Sequence, residues 1–187
     1  MNSVDLLLPT YVQLLTALST WLDKAQTQLS EDAEDLLSAR LASDMFPLST
    51  QVRFACVQAQ EGIYRLRGEE FPESLVNLLD EGRNAGEHPG TIEETRTRIE
   101  ETISVVKSLS NGLGEIDPDQ SIAHALPNGI IFDLSVEQFA RDWAIAQFYF
   151  HVITAYAILR NCGIELGKAD YVAHMFTYLR PGTLPQN

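Results

Sequence analysis

Three polar side chains interrupt an otherwise apolar stretch over residues 143–159: Gln147, His151 and Thr154. Steps of four and then three residues place all three on one face of a helix. The charged residues at the two ends of the stretch fall on nearly the opposite side. We therefore expect the polar face to point into the protein, where an imidazole can act as a base, a ligand or a hydrogen-bonding core residue.

A second set of polar residues, Asp44, Gln51 and Gln58, recurs every seven residues along one edge of another apolar helical stripe. The two sets predict a polar pocket that can bind a small molecule. Its predicted members are Asp44, Gln51, Gln147, His151 and Thr154, closed by Phe148 and a hairpin. The alternative is that His151 is a core histidine bonded to Gln51 or to a backbone carbonyl, with Asp44 serving only as a helix cap.

The helix that carries His151 is apolar almost all round, so it must be covered on more than one side. Tyr149, Ile153 and Tyr156 lie on the face away from His151. Aromatic and branched side chains of this kind are typical of interface centres. The pattern predicts a homodimer through this face.

The remaining candidates for chemistry are isolated. His88, His124 and His174 have no second ligand at metal spacing and are predicted to be lone surface histidines. Cys56 and Cys162 lie on different predicted helices, so their spacing indicates no redox dithiol. The sequence holds no glycine-rich phosphate loop and no G-x-S-x-G nucleophile motif.

Composition limits the function classes. The chain has 187 residues, 45% of them hydrophobic, and a formal net charge of −13, which predicts one domain over 1–187 with an ordered core near 4–178. The acidic balance without a basic patch argues against nucleic acid and anionic membranes as partners. Two cysteines and no secretory signal pattern favour a cytoplasmic protein.

The elements that must position these residues are mostly helices. Apolar residues at three- and four-residue steps predict four antiparallel helices near 4–28, 45–67, 91–110 and 135–162. One or two turns are expected within 30–42, a short helix near 74–81, and one further short helix in the tail after Ile164. Two β-permissive runs joined by Pro-Asn-Gly predict a hairpin between the third and fourth long helices.

Helix ends are marked by local signals. Capping-box spacings begin at Thr91 and Ser135, and Gly68 and Gly163 stand where left-handed terminating glycines belong. Asp44 is expected to cap the second long helix, with proline in its first turn.

Four segments resemble the DUF1993 family, which is grouped with the DinB/YfiT-like four-helix bundles. They are ARLASDMFPLSTQVRFAC (39–56), ALPNGIIFDL (125–134), QFYFHVITAYAILRNCG (147–163) and LGKADYV (166–172). The resemblance implies an all-α four-helix bundle with a small β-hairpin between helices 3 and 4. It implies no assigned function.

DinB relatives are described as metal-dependent enzymes, some of them thiol transferases, which hold a divalent metal with one His of helix 2 and an H-x-x-x-H pair on helix 4. His151 matches the first His of that pair, but Ala155 stands at the second position and the predicted helix 2 contains no His. We therefore predict no metal cofactor. The hypotheses are a small-molecule-binding protein, a metal- or thiol-dependent transferase, and a non-catalytic dimeric scaffold.

Overall fold

A computed structural model describes residues 3–114, 116–126 and 128–183 of the chain. Its long helices are α1 (Ser3–Leu29), α2 (Leu48–Arg67), α4 (Ile92–Ser110) and α6 (Ile145–Asn161). The shorter ones are α3 (Glu73–Asn84), α5 (Val136–Gln138) and α7 (Lys168–Tyr171). Two 3-10 segments, Ser30–Ser38 and Ala173–Tyr178, a π-helical segment, Phe139–Ala144, and two strands, β1 (Ser121–Ala125) and β2 (Ile131–Ser135), complete the described elements.

The architecture is the predicted helical bundle with one hairpin. α2 lies at its centre and contacts α1, α3, α4 and α6. The apolar stripe of α2 faces the core: its buried residues are Leu48, Val52, Ala55, Ala59, Ile63 and Leu66. None of the described helices has the length and hydropathy that crossing a bilayer requires.

Both predicted capping boxes are present. The Thr91 hydroxyl accepts from the Glu94 amide while the Glu94 carboxylate accepts from the Thr91 amide, and Ser135 and Gln138 repeat this exchange. Gly68 and Gly163 take left-handed φ values of 66° and 86° at the ends of α2 and α6. These local signals located the helix ends because each depends only on residues within one turn.

The start of α2 differs from the prediction. The helix begins at Leu48, and the residue before it is Pro47, in an extended conformation without a side-chain cap. Asp44 is exposed in the preceding turn and does not cap the helix. Proline disfavours the helical conformation of the residue before it, so the helix cannot extend back through Phe46 to Met45.

The hairpin pairs Ser121 with Ser135 and Ala125 with Ile131 in antiparallel register. Pro127 of the predicted turn lies outside the described residues, whereas Gly129 has a φ of 86°. β1 alternates exposed and buried positions, and its two buried residues are Ile122 and His124. The alternation turns His124 toward the bundle.

The last long helix is not uniform. A capped turn, α5, continues into a π-helical segment, Phe139–Ala144, and then into α6. The tail forms two short pieces where one was expected, α7 and the 3-10 segment that follows it. α7 is held to α1, because the Trp21 indole donates to the Asp170 carbonyl and Lys24 forms an ion pair with the Asp170 carboxylate.

Candidate functional site

The predicted pair between helices 2 and 4 of the bundle exists. His151 Nδ1 lies 2.9 Å from Gln51 Oε1, and His151 is 8% exposed. Gln51 Nε2 donates to the Phe46 carbonyl at 3.2 Å, which turns the amide oxygen toward the imidazole. An oxygen can only accept, so this geometry assigns the proton of His151 to Nδ1.

Aromatic rings surround the imidazole. Phe54 and Phe150 each lie with their centroid 5.3 Å from that of His151, in edge-to-face geometry. Burial lowers the pKa of His151 to about 4, because this apolar surrounding disfavours the charged ring. His151 is therefore neutral at physiological pH.

The other predicted pocket residues do not converge on His151. Asp44 is exposed, and Gln147 is half-buried. The Thr154 hydroxyl donates to the Phe150 carbonyl of its own helix at 2.6 Å. Phe148 is fully buried against the edge of Tyr11. The contacts match the alternative of a core histidine bonded to Gln51.

The donor set around His151 does not fit the metal site implied by the resemblance to DinB proteins. Within the described part of the chain, no three His, Cys, Asp or Glu side chains are grouped closely enough to hold a metal ion. The nearest side chains are an amide and two phenyl rings. Structural and catalytic zinc sites use three or four His, Cys or carboxylate ligands, and the side chains around His151 do not supply them.

The predicted dimer face is partly covered by its own chain. The Tyr156 ring packs against the rings of Trp21 and Tyr171, and Tyr149 is half-buried. Ile153 is 48% exposed, and its neighbour Phe150, which the sequence did not single out, is 55% exposed. The exposed face of α6 is thus defined by Phe150 and Ile153.

A cavity of about 260 Å³ lies between α2, α3, the hairpin and the π-helical segment. We call it the hairpin cavity. Its wall is largely apolar and includes Val57, Phe71, Leu75, Val76, Leu79, Leu126 and Trp143. Its polar lining residues are Gln58, Glu61, Arg65, Arg83 and His124. An apolar cleft with a few polar groups is the usual form of a small-molecule site.

His124 overturns the expectation of a lone surface histidine. It is 2% exposed, and neither ring nitrogen has a hydrogen-bond partner among the described residues. Its ring lies 4.4 Å from Trp143 and 5.6 Å from Phe139, centroid to centroid. Burial, and secondarily the charge of Arg65, lowers the pKa of His124. A buried imidazole without partners costs about 1–3 kcal/mol, which a bound molecule can recover.

Glu61 and Arg65 face each other loosely on one side of the hairpin cavity. Arg65 Nε is 3.9 Å from Glu61 Oε1, too far for a hydrogen bond, and it has no other partner among the described residues. The guanidinium carbon lies 4.6 Å from the centroid of Phe71. Burial raises the pKa of Glu61, and Arg65 opposes the rise only in part. The Nε of Arg65 is therefore left without a hydrogen bond among the described residues.

The sequence carried a signal for His124 but not for Glu61 and Arg65, the charged residues that line the same cavity. Ile122 and His124 are two apart in a predicted strand, so they share a face, and an apolar Ile on that face indicates burial. Glu61 and Arg65, four apart on α2, are indistinguishable in sequence from an ordinary surface ion pair. Only the packing of α3 and the hairpin encloses them.

The other single candidates lie outside the lining of the hairpin cavity and outside the His151–Gln51 pair. His88 is exposed, and His174 is half-buried near the tail. Cys56 is fully buried and Cys162 half-buried, and both are free thiols. Burial raises the pKa of Cys56 to about 12, which keeps its thiol protonated and unreactive.

Comparison with known proteins gives a family and a fold. The sequence matches the family described as "Domain of unknown function (DUF1993)" over residues 4–172. The crystal structure of a DinB family member protein from Shewanella denitrificans is similar, with a TM-score of 0.71 and 30% sequence identity over 97% of this chain and 95% of that chain. No curated protein matches the sequence.

Proposed function

Because the chain belongs to the DUF1993 family, whose description assigns no function, we propose a function from its own side chains: it binds a small organic molecule in the hairpin cavity. Local patterns in the sequence predicted a pocket at His151, whereas the buried ring nitrogens without partners among the described residues are those of His124. Small-molecule binding thus remains the proposed function, and its site is the hairpin cavity instead of the surroundings of His151.

One observation carries the proposal. His124 is 2% exposed on the wall of an apolar cavity, and both of its ring nitrogens lack partners among the described residues. Buried polar groups in folded proteins are almost always hydrogen-bonded. A ligand with a polar head supplies the partner that the fold does not.

The hairpin cavity can be blocked without disturbing the core. Val76 lines the cavity and is 46% exposed on α3, so a Val76→Trp side chain can cover the opening from outside. Ser104→Trp, at an exposed position of α4 that does not line the cavity, is the matched control.

The test uses three phenylpropyl probes of different charge, 3-phenylpropan-1-ol, 3-phenylpropanoate and 3-phenylpropylamine, each at millimolar concentration. We expect at least one to shift the NMR signals of the His124 ring and the Trp143 indole in the parent and in Ser104→Trp, but not in Val76→Trp. Trp21 and His151, which are buried and do not line the cavity, serve as internal references. If no probe moves the His124 and Trp143 signals, the proposed site is wrong.

A second candidate function is a DinB-like metal- or thiol-dependent transferase centred on His151. It is favoured by the similar DinB structure and by the proton of His151 on Nδ1, which leaves a lone pair on Nε2. The metal-dependent form requires a metal that the side chains around His151 do not fit. Metal analysis of the purified protein separates the two: we expect no stoichiometric zinc, nickel or iron, and one metal ion per chain would favour the transferase.

A non-catalytic dimeric scaffold is the third candidate, supported by the exposed face of α6. We further propose a reducing compartment such as the cytoplasm, because neither Cys56 nor Cys162 is in a disulfide.

A further inference from the structure

We propose that the hairpin cavity takes a small aromatic monocarboxylate, with the carboxylate between Arg65 and His124 and the ring against Trp143. This ligand class rests on the proposed function, because it presupposes that the hairpin cavity is a binding site.

Arg65 is the first reason for an anionic head group. Its Nε is buried without a partner among the described residues, and the carboxylate of Glu61 lies 3.9 Å from it. Hydrogen bonds between guanidinium and carboxylate groups are normally about 2.7–2.9 Å long and often come in parallel pairs. Phe71 packs against the guanidinium and fixes it in place. A ligand carboxylate is the group that this fork of donors matches best.

His124 is the second reason. A neutral imidazole carries one N–H donor, and the Nε of Arg65, which has no hydrogen bond among the described residues, supplies another. A carboxylate only accepts, so it satisfies both donors at once. An ammonium only donates, and it would place a second cation beside Arg65.

The local charge is the third reason. Two guanidiniums, Arg65 and Arg83, line the hairpin cavity: Arg83 lies 2.9 Å from the Asp80 carboxylate, whereas Arg65 lies 3.9 Å from that of Glu61. His124 is neutral, because burial and Arg65 lower its pKa. Arg65 is therefore the cation on this wall that has no hydrogen-bonded carboxylate among the described residues, and such a cation favours an anionic ligand.

The volume and the lining of the hairpin cavity limit the rest of the ligand. An engineered cavity of about 150 Å³ lined by apolar side chains holds one benzene ring. The hairpin cavity, at about 260 Å³, has room for one ring and a short arm. Trp143 and Phe71 line it and offer aromatic contacts to that ring. A phenyl ring joined to a carboxylate by a short alkyl arm fits this volume.

Glu61 should make the affinity for this ligand class depend on pH. A bound anion favours the uncharged form of Glu61, whose pKa burial already raises. The charged and titratable groups around it are Arg65 on its own helix, Tyr11 from α1, Arg83 from α3 and His124 from the hairpin. We expect the affinity for the carboxylate to fall as pH rises through the Glu61 pKa. Glu61→Gln should remove that fall.

The experiment compares dissociation constants of 3-phenylpropanoate, 3-phenylpropan-1-ol and 3-phenylpropylamine, measured from the His124 and Trp143 NMR shifts. We expect the carboxylate to bind at least about tenfold more tightly than the alcohol and the amine, since hydrogen bonds to charged groups are the stronger ones. Arg65→Gln should abolish that preference and leave the alcohol unchanged. Arg141→Gln, which removes one exposed charge outside the cavity, should leave both unchanged.

Each alternative outcome has a defined meaning. If the alcohol or the amine shifts the signals as strongly as the carboxylate, the ligand class is wrong and the cavity remains a binding site. If none of the three binds, the proposed function fails with it. If Arg65→Gln does not fold, His124→Phe removes the imidazole donor and is followed by the Trp143 shift, and an unchanged preference for the carboxylate in that variant would overturn the inference.

Discussion

Two buried histidines differ in the partners of their ring nitrogens. His151 Nδ1 is bonded to Gln51, whereas neither nitrogen of His124 has a partner among the described residues. Both rings are held neutral by burial, which lowers both pKa values. The same residue type therefore serves as a satisfied core group at one position and as an unsatisfied group on a cavity wall at the other.

The pKa of His151 predicts an acid-dependent loss of stability. Burial lowers it to about 4 from 6.5, so between these values the unfolded chain binds one more proton than the folded one. The contribution of His151 to the free energy of unfolding is fully present above pH 6.5 and is lost as pH falls toward 4. It amounts to about 3 kcal/mol in total.

His151→Asn tests this, because an Asn amide retains a donor near the position of Nδ1 but does not titrate. Between about pH 4 and 6.5, urea unfolding should show a slope of stability against pH that is smaller in the variant by about 1.4 kcal/mol per pH unit. Exposed His88→Asn is the control for removing an imidazole. Equal slopes in the parent and His151→Asn would contradict the assigned burial.

At the scale of elements, α2 contributes residues both to the His151 pair and to the hairpin cavity. It supplies Gln51 to the His151 pair and Glu61 and Arg65 to the hairpin cavity, and it contacts α1, α3, α4 and α6. Because it lies at the centre of the bundle, its approach to each neighbour limits the side chains that it can carry. Gly62 is the clearest example, since a Cβ there would lie 2.4 Å from the Tyr11 hydroxyl oxygen.

Gly62→Ala is therefore expected to destabilise the protein, by about 1–3 kcal/mol, although alanine normally favours a helix. Tyr11→Phe removes the clashing oxygen, and that hydroxyl has no partner among the described residues. The single Tyr11→Phe change should cost little, and the double variant should recover most of the stability lost in Gly62→Ala. Additive effects in urea unfolding would show that the two residues do not meet.

At the scale of the whole molecule, the exposed face of α6 is the feature that the fold leaves uncovered. Phe150 and Ile153 are 55% and 48% exposed. Phe46, just before the start of α2, is 51% exposed. Large exposed apolar side chains grouped on one helix are a common mark of interfaces. The predicted homodimer remains a prediction, now centred on Phe150 and Ile153.

Ile153→Asp tests the homodimer. A twofold contact brings Ile153 close to its own symmetry mate, so the substitution would bury an unpaired charge there. In sedimentation velocity at micromolar concentration we expect dimer for the parent and monomer for the variant. Val76→Asp places the same charge at a comparably exposed valine on α3 and should remain dimeric. A monomeric parent would refute the dimer.

The bundle and its hairpin were predictable from sequence because their signals are local. Apolar periodicity, two capping boxes and two terminating glycines each depend on a few consecutive residues, and the structure contains all of them. The start of α2 was misjudged because Pro47 excludes the preceding residues from the helix more strongly than Asp44 can cap it. The contact of Gln51 with His151 was also predictable, because both lie on the inner faces of their helices.

The sequence alone thus determined the fold class, the family resemblance and which faces of the helices turn inward. The tertiary structure decided which polar groups are satisfied. Glu61, Arg65 and His124 come from α2 and from β1, and they share a cavity only because α3 and the hairpin fold over the same part of α2. Enclosure and the absence of a hydrogen-bond partner depend on distances between segments far apart in the chain, and periodicity along one segment carries no information about those distances.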